Sequence, residues 1–471
     1  MEARPRIVVI GAGPGGYVAA VRAAQLGAQV SLVEEQEVGG TCLNKGCIPS
    51  KALIFNAEVL DLLKRADEFG VRVVREPDYD VTRMLERKQR IVQTQVRGIH
   101  SLLKSWDVAL IKGRGRMSGP RAVEVAEAGG AVRRLEADGV ILATGSKPIK
   151  PPVFPFDGER VMTSEEALEP RVLPGSLLIV GAGVEGCEFA FLYRALGVSV
   201  TMVEMKDRPL ATEDEEISSL VRREMTKRGI TLHLEVRVEK AVIEPAQAVV
   251  TLSDGRTIAV ERILVSIGRR MNTEGLGLEE AGVVLGKRGE IVVDDRMETR
   301  ASGVFAIGDA VGRIMLAHAA SAEGKVAAAN AVSRSDRHSM NYAVVPAGIF
   351  TMPEIGTVGL KEWEAAELGL KVRVGRYPFR ALARAHTMDE IVGLVKVIAE
   401  EGTDRILGVH IMGPHASDLI HEAAIAMRLG AKASDIGEMI HAHPTLPEAM
   451  MEAAEDVHGS AIHLPRRKGS A

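Results

Sequence analysis

The chain has 471 residues, of which 46% are hydrophobic and 26% are charged, and its formal net charge is -4 at pH 7. This length predicts two to four domains, and the charge excludes the basic footprint typical of nucleic-acid-binding proteins. No apolar run is long enough to cross a bilayer, and three cysteines are too few for a secreted disulfide framework, so we expect a cytoplasmic protein with no membrane contact.

The first predicted element is a buried strand followed by a glycine turn and a helix, "RIVVIGAGPGGYVAAVRAAQLGAQVSLVEE" at residues 6–35. It contains the spacing G-x-G-x-x-G at Gly11, Gly13 and Gly16, and Glu34 lies 23 residues beyond the first glycine. In dinucleotide-binding domains these glycines allow a tight turn, close approach to a pyrophosphate and helix packing, while the acid binds ribose hydroxyls. The alternative is a plain glycine-rich turn of a βαβ unit.

Two cysteines, Cys42 and Cys47, follow in "EQEVGGTCLNKGCIPSKALI" at residues 35–54. A cross-link between them would close a very small loop, and nearby residues do not complete a metal site, so we expect no metal. The sequence predicts a helix beginning at Cys47, where the helix dipole stabilises a thiolate. We therefore favour a redox pair, with Gly39, Gly40 and Gly46 allowing close approach of a flat ligand.

Helices are predicted over residues 48–70 and 80–105, followed by short strands up to "GVILATGSKP" at 139–148. The proline-rich stretch "KPIKPPVFPF" at 147–156 then indicates a domain boundary.

Residues 176–205 repeat residues 6–35 at a constant offset of 170, with glycines at Gly181, Gly183 and Gly186 and an acid at Glu204. We call each copy a dinucleotide fingerprint. Two fingerprints predict two dinucleotides, a flavin and a nicotinamide, and the cysteine pair then becomes a redox disulfide. Met205 follows the second acid, at a position where proteins that bind the 2′-phosphate of NADP usually have Arg, and this favours NAD over NADP. The nearby residues Lys206 and Arg208 are basic, however, and leave NADP as an alternative.

After "ERILVSIGRR" at 261–270, the stretch "GVFAIGDAVG" at 303–312 predicts a strand that ends at Asp309, and an alanine-rich helix is predicted over 317–332. Asp309 is then either a ligand-binding residue at the sheet edge or a helix N-cap. From residue 341 the pattern changes to an α+β domain. The pattern divides the chain into segments 1–150, 151–270, 271–340 and 341–471. The family resemblance given below implies that these are, in order, the first part of an FAD-binding domain, an NAD-binding domain, a central FAD-binding region and a dimerisation domain.

The long motif "GGTCLNKGCIPSK" and the doubled fingerprint resemble the flavin-dependent pyridine nucleotide–disulfide oxidoreductases. The resemblance continues through "FAIGDAVG", "DRILGVHIMGPHASDLIHEA" and "HAHPTLPEAMMEAA". It implies an α/β fold with two Rossmann-like domains, for FAD and NAD, and an α+β C-terminal dimerisation domain. Within the family the chain is most similar to members that oxidise a lipoyl dithiol with NAD, which implies a homodimer serving the lipoyl-bearing domain of a 2-oxo acid dehydrogenase or similar complex.

The resemblance also assigns roles. Cys42 would exchange with substrate and Cys47 would face the flavin, while Lys51 near the flavin would pair with Glu188. His443 and Glu448 would act as base and orienting partner, contributed by the other subunit. The implied FAD-binding residues are Gly11, Gly13, Gly16, Glu34, Lys51, Gly145 and Asp309, and the implied NAD-binding residues are Gly181, Gly183, Gly186, Glu204 and Gly268.

Local sequence around "HAHPTLPE" leaves alternatives open. Thr445 and Glu448 have the spacing of a capping box, and on local sequence alone that is the favoured role of Glu448. His441 and His443 could both be solvated, and for His441 we expect this.

Three residues depart from the family pattern: Glu185 where an apolar residue is common, Met271 in place of a proline, and Phe350 where tyrosine is frequent. We expect Glu185 to alter the entry or the affinity of nicotinamide, and the departures together to affect substrate detail and partner docking rather than the redox pair. Two alternatives remain, a related NAD(P)H-dependent disulfide reductase and a non-catalytic flavoprotein subunit of a larger complex.

Overall fold

The computed structural model describes residues 4–333 and 335–466. The outermost residues of the first and last predicted segments therefore lie outside the described residues. Within the described part of the chain, none of the helices combines the length and apolar character needed to span a membrane.

The first 265 residues contain two series of strands and helices. The first series comprises β1 (Arg6–Ile10), α1 (Pro14–Gln25), β2 (Gln29–Glu34), α2 (Gly40–Lys45), α3 (Cys47–Lys64), α4 (Val81–Ser105), β3 (Ala109–Lys112), β4 (Arg114–Met117), β5 (Ala122–Ala126), β6 (Val132–Glu136), β7 (Gly139–Leu142) and β8 (Ser146–Pro148). The second comprises β9 (Val161–Met162), α5 (Ser164–Ala167), β10 (Ser176–Val180), α6 (Val184–Ala195), β11 (Ser199–Val203), α7 (Glu215–Lys227), β12 (Thr231–His233), β13 (Val238–Ile243), β14 (Ala248–Leu252), β15 (Thr257–Val260) and β16 (Arg262–Val265).

The remaining elements connect back to the first series and then form a C-terminal unit. The connecting elements are β17 (Arg269–Met271), β18 (Val304–Ala306) and α8 (Ala317–Val332). The C-terminal elements are β19 (Ala347–Ile349), β20 (Glu354–Gly359), α9 (Glu362–Glu367), β21 (Val372–Pro378), α10 (Ala383–Met388), β22 (Leu394–Glu400), β23 (Ile406–Gly413), α11 (Ala416–Leu429), α12 (Ala433–Gly437) and α13 (Glu448–Asp456).

The first fingerprint lies in a five-stranded parallel sheet of order β18-β7-β1-β2-β3. The continuous apolar run of β1 is buried from Ile7 to Ile10, which is typical of a central parallel strand covered on both faces. Helix α8 packs against α1, where a Cβ on Gly324 would lie 2.5 Å from the Gly15 carbonyl oxygen. Strand β18 therefore brings residues beyond the second fingerprint back to the sheet of the first.

The second fingerprint forms a separate five-stranded parallel sheet of order β12-β11-β10-β16-β9. Its central strand β10 is buried from Leu177 to Val180, in the same way as β1. A small antiparallel sheet, β13-β14-β15, lies beside it, and β4-β5-β6 is the corresponding sheet of the first series. The repeat seen in the sequence is thus a repeat of whole domains.

The C-terminal unit is a five-stranded antiparallel sheet of order β19-β20-β23-β22-β21, covered by α11 and α13. Its own core includes Val397, Val409 and Ile411, all fully buried. The predicted fold class, two Rossmann-like domains and an α+β C-terminal domain, is confirmed. The four domain bounds remain predictions.

Local predictions also have clear outcomes. Helix α8 has the predicted bounds, and the predicted second helix begins one residue later, at Val81. The predicted helix over 48–70 ends earlier, at Lys64, and a short 3₁₀ turn follows at Ala66–Phe69. The break removes the regular hydrogen-bond ladder from that last stretch.

Candidate functional site: a cysteine pair between two dinucleotide turns

The two fingerprint turns have nearly the same geometry. Gly11 and Gly181 have φ angles of 99° and 102°, and a Cβ on either would lie within 2.3 Å of a backbone oxygen. The third glycines pack against the first, since a Cβ on Gly16 would lie 1.9 Å from the Gly11 oxygen. Nothing lies within 4 Å of a Cβ placed on Gly183. The middle glycine therefore leaves open space in front of a helix N-terminus, where phosphate oxygens bind.

The two fingerprint acids make equivalent contacts with the turns. Glu34 accepts hydrogen bonds from the Ala12 N–H at 2.7 Å and the Gln36 N–H at 2.6 Å. Glu204 accepts them from the Ala182 N–H at 2.7 Å and from the Lys206 N–H at 2.9 Å. Each carboxylate is thereby held at the edge of its turn, and each oxygen retains a lone pair for a ribose hydroxyl. The ribose contact itself stays a prediction.

The cysteine loop packs directly on the first fingerprint. Gly40 has a φ of 57°, and a Cβ there would lie 2.6 Å from the Gly13 Cα. Two glycines in contact bring the backbone of the cysteine loop against the phosphate turn. We predicted that Gly40 would allow approach of a ligand, whereas the close neighbour in the structure is backbone.

Helix α3 begins at Cys47, as predicted, with Pro49 in its first turn. Cys42 and Cys47 are both free thiols, and the cavity described below is lined by both. A hydrogen bond from Cys42 and the nearby charge of Lys51 outweigh burial and lower the pKa of Cys47 to about 7. The same hydrogen bond, together with burial, raises the pKa of Cys42 well above its ordinary value. The pair is thus polarised, with the thiolate on Cys47.

A partly buried ion pair lies beside the cysteines. Lys51 Nζ donates to both carboxylate oxygens of Glu188, at 2.9 and 2.7 Å. The Lys51 ammonium also lies 4.7 Å from the centre of the Phe350 ring, and the Phe350 N–H donates to Glu188 at 3.0 Å. The contact expected between Lys51 and Glu188 is therefore present and joins α3, α6 and the C-terminal unit. Its role in catalysis stays a prediction.

Asp309 lies in the first turn of a 3₁₀ helix, Gly308–Val311, whose N-cap is Ile307, so Asp309 is not the N-cap. Its carboxylate accepts a hydrogen bond from the Ser146 hydroxyl. The Arg269 side chain donates to the same hydroxyl at 2.7 Å. Asp309 is thus anchored at the sheet edge where ligands of parallel sheets bind.

A single cavity of about 2020 Å³ connects these features. Its lining includes the cysteine pair, Lys51, Glu188, Asp309, both fingerprint acids, and the predicted glycines Gly11, Gly13, Gly16, Gly145, Gly181, Gly183 and Gly268. Small-molecule sites typically measure roughly 300–1,000 Å³, so this cavity has room for two such ligands. The residues present therefore fit two dinucleotides, one at each fingerprint, that meet near the cysteines.

His443 and Glu448 lie outside that cavity. His443 Nδ1 is 2.8 Å from a Glu448 carboxylate oxygen, and the His443 side chain is 72% exposed. Burial raises the pKa of Glu448, but hydrogen bonds from the Thr445 N–H and from His443 outweigh it and leave the pKa below its ordinary value. The pair is formed, but within one chain it does not face the cysteines.

Two local predictions in this segment are wrong or incomplete. His441 is not solvated: its side chain is 3% exposed and its Nε2 lies 3.0 Å from Glu422. A partner on another helix, α11, decides this, and no local pattern reports it. Helix α13 begins at Glu448 rather than after Thr445, so only half of the capping box forms, the bond from the Thr445 N–H to Glu448 at 2.8 Å.

The three unusual residues have defined positions. Glu185 accepts a hydrogen bond from the Ser266 hydroxyl at 2.9 Å, and both line the cavity. Met271 is buried against Gly312, and Phe350 is the ring beside Lys51.

The sequence did not predict two contacts of the site, the Gly40–Gly13 packing and the Phe350–Glu188 hydrogen bond. The doubled glycine "GG" at 39–40 was the available signal for the first, while the second joins residues 162 positions apart.

Comparison with known proteins agrees with this architecture. Residues 5–324 match the family model described as pyridine nucleotide-disulphide oxidoreductase, and residues 345–454 match the dimerisation domain of the same family. The latter match supports a homodimer.

Relatives align over almost the whole chain. The chain is 43% identical to a dihydrolipoyl dehydrogenase of Thermus scotoductus, covering 98% of this chain and 99% of that one, and 41% identical to one of Bacillus subtilis, covering 97% and 99%. The structure is similar to LpdA from Mycobacterium tuberculosis, with a TM-score of 0.90 and 32% identity over 96% and 99% of the two chains. It is also similar to the HOCl-induced flavoprotein disulfide reductase RclA from Escherichia coli, with a TM-score of 0.85 and 26% identity over 96% and 99%. By its sequence, its fold and its paired cysteines, the chain belongs to the pyridine nucleotide-disulphide oxidoreductases.

Proposed function

We propose that this protein is a dihydrolipoyl dehydrogenase, which oxidises a dihydrolipoyl dithiol to its cyclic disulfide with FAD and NAD as cofactors. The observation that carries the proposal is that Cys42 and Cys47 line the same cavity as both dinucleotide turns. Relatives at 43% and 41% identity carry the same name, which supports a dihydrolipoyl dithiol as the substrate.

The polarity of the cysteine pair sets the direction of thiol exchange. When the two cysteines form a disulfide, a substrate thiolate can attack either sulfur, and the better leaving group is the thiol of lower pKa. Cys47, with a pKa of about 7, is that leaving group, so attack falls on Cys42. The substrate forms a mixed disulfide with Cys42 and Cys47 leaves as thiolate. The second substrate thiol then displaces Cys42, and the oxidised substrate departs as a cyclic disulfide.

Each exchange needs a base to take a proton from a substrate thiol, and His443 is the residue we assign to it. Glu448 holds the imidazole at Nδ1, which leaves Nε2 free to accept the proton. Since His443 does not line the cavity of its own chain, the proposal requires the partner subunit's His443. We infer a homodimer in which each active site is completed across the interface.

The first fingerprint, with Glu34, Lys51, Gly145 and Asp309, would hold FAD, and the second, with Glu204 and Gly268, would hold NAD. Bound FAD would supply the two-electron chemistry that links the Cys42–Cys47 dithiol to NAD. The Lys51–Glu188 ion pair would lie where the flavin meets the cysteine pair. The charge of Lys51 also helps to keep Cys47 ionised.

The partner and location follow from the same proposal. A lipoyl group carried by a domain of a 2-oxo acid dehydrogenase or similar complex is the substrate we propose, because relatives that align over almost the whole chain are named dihydrolipoyl dehydrogenases. The low cysteine count supports action in the cytoplasm, where thiols remain reduced.

Anaerobic reduction by dihydrolipoamide tests the function. We expect the FAD-loaded protein to form NADH from NAD and dihydrolipoamide, and the Cys47→Ser variant to bind FAD but lose this reaction. Cys187→Ala is the matched control, because Cys187 is a fully buried thiol that donates a hydrogen bond to the Ala182 carbonyl oxygen. Substantial dithiol oxidation by Cys47→Ser would contradict the assignment.

A second candidate is reduction of a different disulfide by NADH or NADPH. It is favoured by the similarity to RclA, a flavoprotein disulfide reductase, at 26% identity. A protein that is reduced by NADH yet fails to exchange with dihydrolipoamide would support this candidate over the first.

A further inference from the structure

The second fingerprint has a hydrogen-bonded polar pair, Glu185 and Ser266, that the first fingerprint lacks. At the constant offset of 170, Glu185 of the second copy corresponds to Gly15 of the first. Ser266 corresponds to Ala143 by its position in the structure, because a Cβ placed on the first glycine of each turn would lie 2.3 Å from the Ala143 oxygen in the first copy and 2.2 Å from the Ser266 oxygen in the second. The Glu185–Ser266 hydrogen bond of 2.9 Å thus has no equivalent at the FAD-side turn.

Glu185 lies between the second fingerprint turn and the cysteine pair, in the part of the cavity where NAD would bind. It is the second residue of α6, directly after the Gly181–Gly183 turn, where the phosphates would bind. Glu188, three residues later and therefore about 4.5 Å further along the helix axis, bonds to Lys51 beside the cysteine pair. A dinucleotide that has its phosphates at the turn and its nicotinamide at the redox centre must pass the Glu185 carboxylate.

A carboxylate in this place affects the two redox forms of the dinucleotide differently. The nicotinamide ring is cationic in NAD and neutral in NADH, while the phosphate charges are the same in both. Glu185 therefore repels the phosphates of both forms equally, but it attracts the ring of the oxidised form only. The acid also stabilises the N-terminus of α6, but that effect does not distinguish the ligands.

We propose that Glu185, anchored by Ser266, is a specificity-determining residue that favours binding of the oxidised dinucleotide over the reduced one. The inference rests on the proposed function, in which NAD is the acceptor and NADH must leave. It deepens that function by assigning to this chain a built-in preference for the forward direction.

Binding, rather than turnover, tests the proposal. The FAD-loaded oxidised protein would be titrated calorimetrically with NAD, with a redox-inert tetrahydro derivative of NADH that has a neutral ring, and with ADP-ribose, which lacks the ring. The quantity of interest is the ratio of the Kd of the neutral-ring analogue to that of NAD. We expect Glu185→Gln to lower this ratio about threefold to tenfold. ADP-ribose should bind equally or more tightly, since a repulsive charge is removed.

Two further variants sharpen the result. Ser266→Ala, which removes the anchor but keeps the charge, should lower the ratio less than Glu185→Gln. Glu274→Gln removes a carboxylate that also lines the cavity but is 68% exposed, and it should leave the ratio unchanged. An unchanged ratio in Glu185→Gln would overturn the proposal, even if all three affinities shift together. Failure of the unmodified protein to bind NAD at all would instead refute the proposed function.

Discussion

Glu448 binds His443 and its own loop at the same time. One carboxylate oxygen lies 2.8 Å from His443 Nδ1, and the other accepts the Thr445 N–H at 2.8 Å. The two roles that the sequence left as alternatives, a capping contact and a partner for the histidine, are thus filled by the two oxygens of one side chain. The imidazole is fixed through a group that is itself fixed by the backbone.

This relationship predicts the effect of replacing either residue. His443→Gln should reduce the rate of dihydrolipoamide oxidation by about 10² to 10⁴, the usual contribution of a general base. Glu448→Gln keeps an oxygen for one contact and should cost less. Electron transfer from NADH to ferricyanide needs no substrate thiol, so it should remain near normal in both variants. A parallel loss of both activities would show that the role of the pair is structural.

The polarised cysteines predict an unusual pH dependence. In the reduced protein, alkylation of Cys47 by iodoacetamide should rise with a midpoint near pH 7, because its pKa is about 7 rather than 9.0. Since the pKa is lowered on folding, the stabilisation is complete above pH 9 and is lost as the pH falls through 7. Cys42→Ser keeps a hydrogen-bond donor and should retain a low midpoint, whereas Cys42→Ala should raise it. Equal midpoints in the two variants would contradict the hydrogen bond as the main cause.

Lys51 makes a smaller contribution of the same sign. Lys51→Met should raise the pKa of Cys47, and it should lower the Tm because the mostly buried Glu188 loses its cationic partner. The double variant Lys51→Met/Glu188→Gln should recover Tm but not the original Cys47 midpoint, because Lys51 affects that pKa more than Glu188 does. The same alkylation series measures the midpoints, and a full return to the original value would argue against a direct effect of Lys51.

The contact between Gly40 and Gly13 predicts a strong effect of one methyl group. Both Gly40 and Gly70 have positive φ angles, 57° and 72°, but a Cβ on Gly70 would have no neighbour within 4 Å. Gly70→Ala should therefore cost only about 1–2 kcal/mol of backbone strain. Gly40→Ala adds a clash at 2.6 Å with the Gly13 Cα, so it should be more destabilising and should also weaken FAD retention. Chemical denaturation and flavin release measure the two effects, and similar values for both variants would exclude the contact as important.

His410 predicts a sensitivity to acid in the C-terminal unit. It is buried between a Thr357 hydroxyl at 2.6 Å and the Leu360 oxygen at 3.0 Å, and burial lowers its pKa to about 4. Between about pH 6.5 and about pH 4, this histidine is therefore protonated in the unfolded chain but neutral in the folded chain. The free energy of unfolding falls as the pH is lowered through this range, by up to about 1.4 kcal/mol per pH unit. His410→Gln should reduce the drop in apparent Tm between pH 7 and pH 5. An unchanged drop would assign the acid sensitivity to other groups.

The repeated domains were predictable because their signal is local. Strands such as β1 and β10 are continuous apolar runs, and the glycines that follow are required by backbone geometry within a few residues. Helix α8 was placed correctly for the same reason, since its alanine-rich pattern is uninterrupted. The start of α3 at Cys47 also follows from local residues, a glycine before it and Pro49 within its first turn.

Sequence alone thus determined the fold class, the two dinucleotide turns and the identity of the cysteine pair, because these depend on short-range spacing and steric limits. Tertiary structure alone decided that His441 is buried against Glu422, that Gly40 packs on Gly13, and that Phe350 binds Glu188. These contacts join segments from 19 to 162 residues apart, and their stability comes from burial and charge pairing created only when the domains pack. No local pattern contains that information.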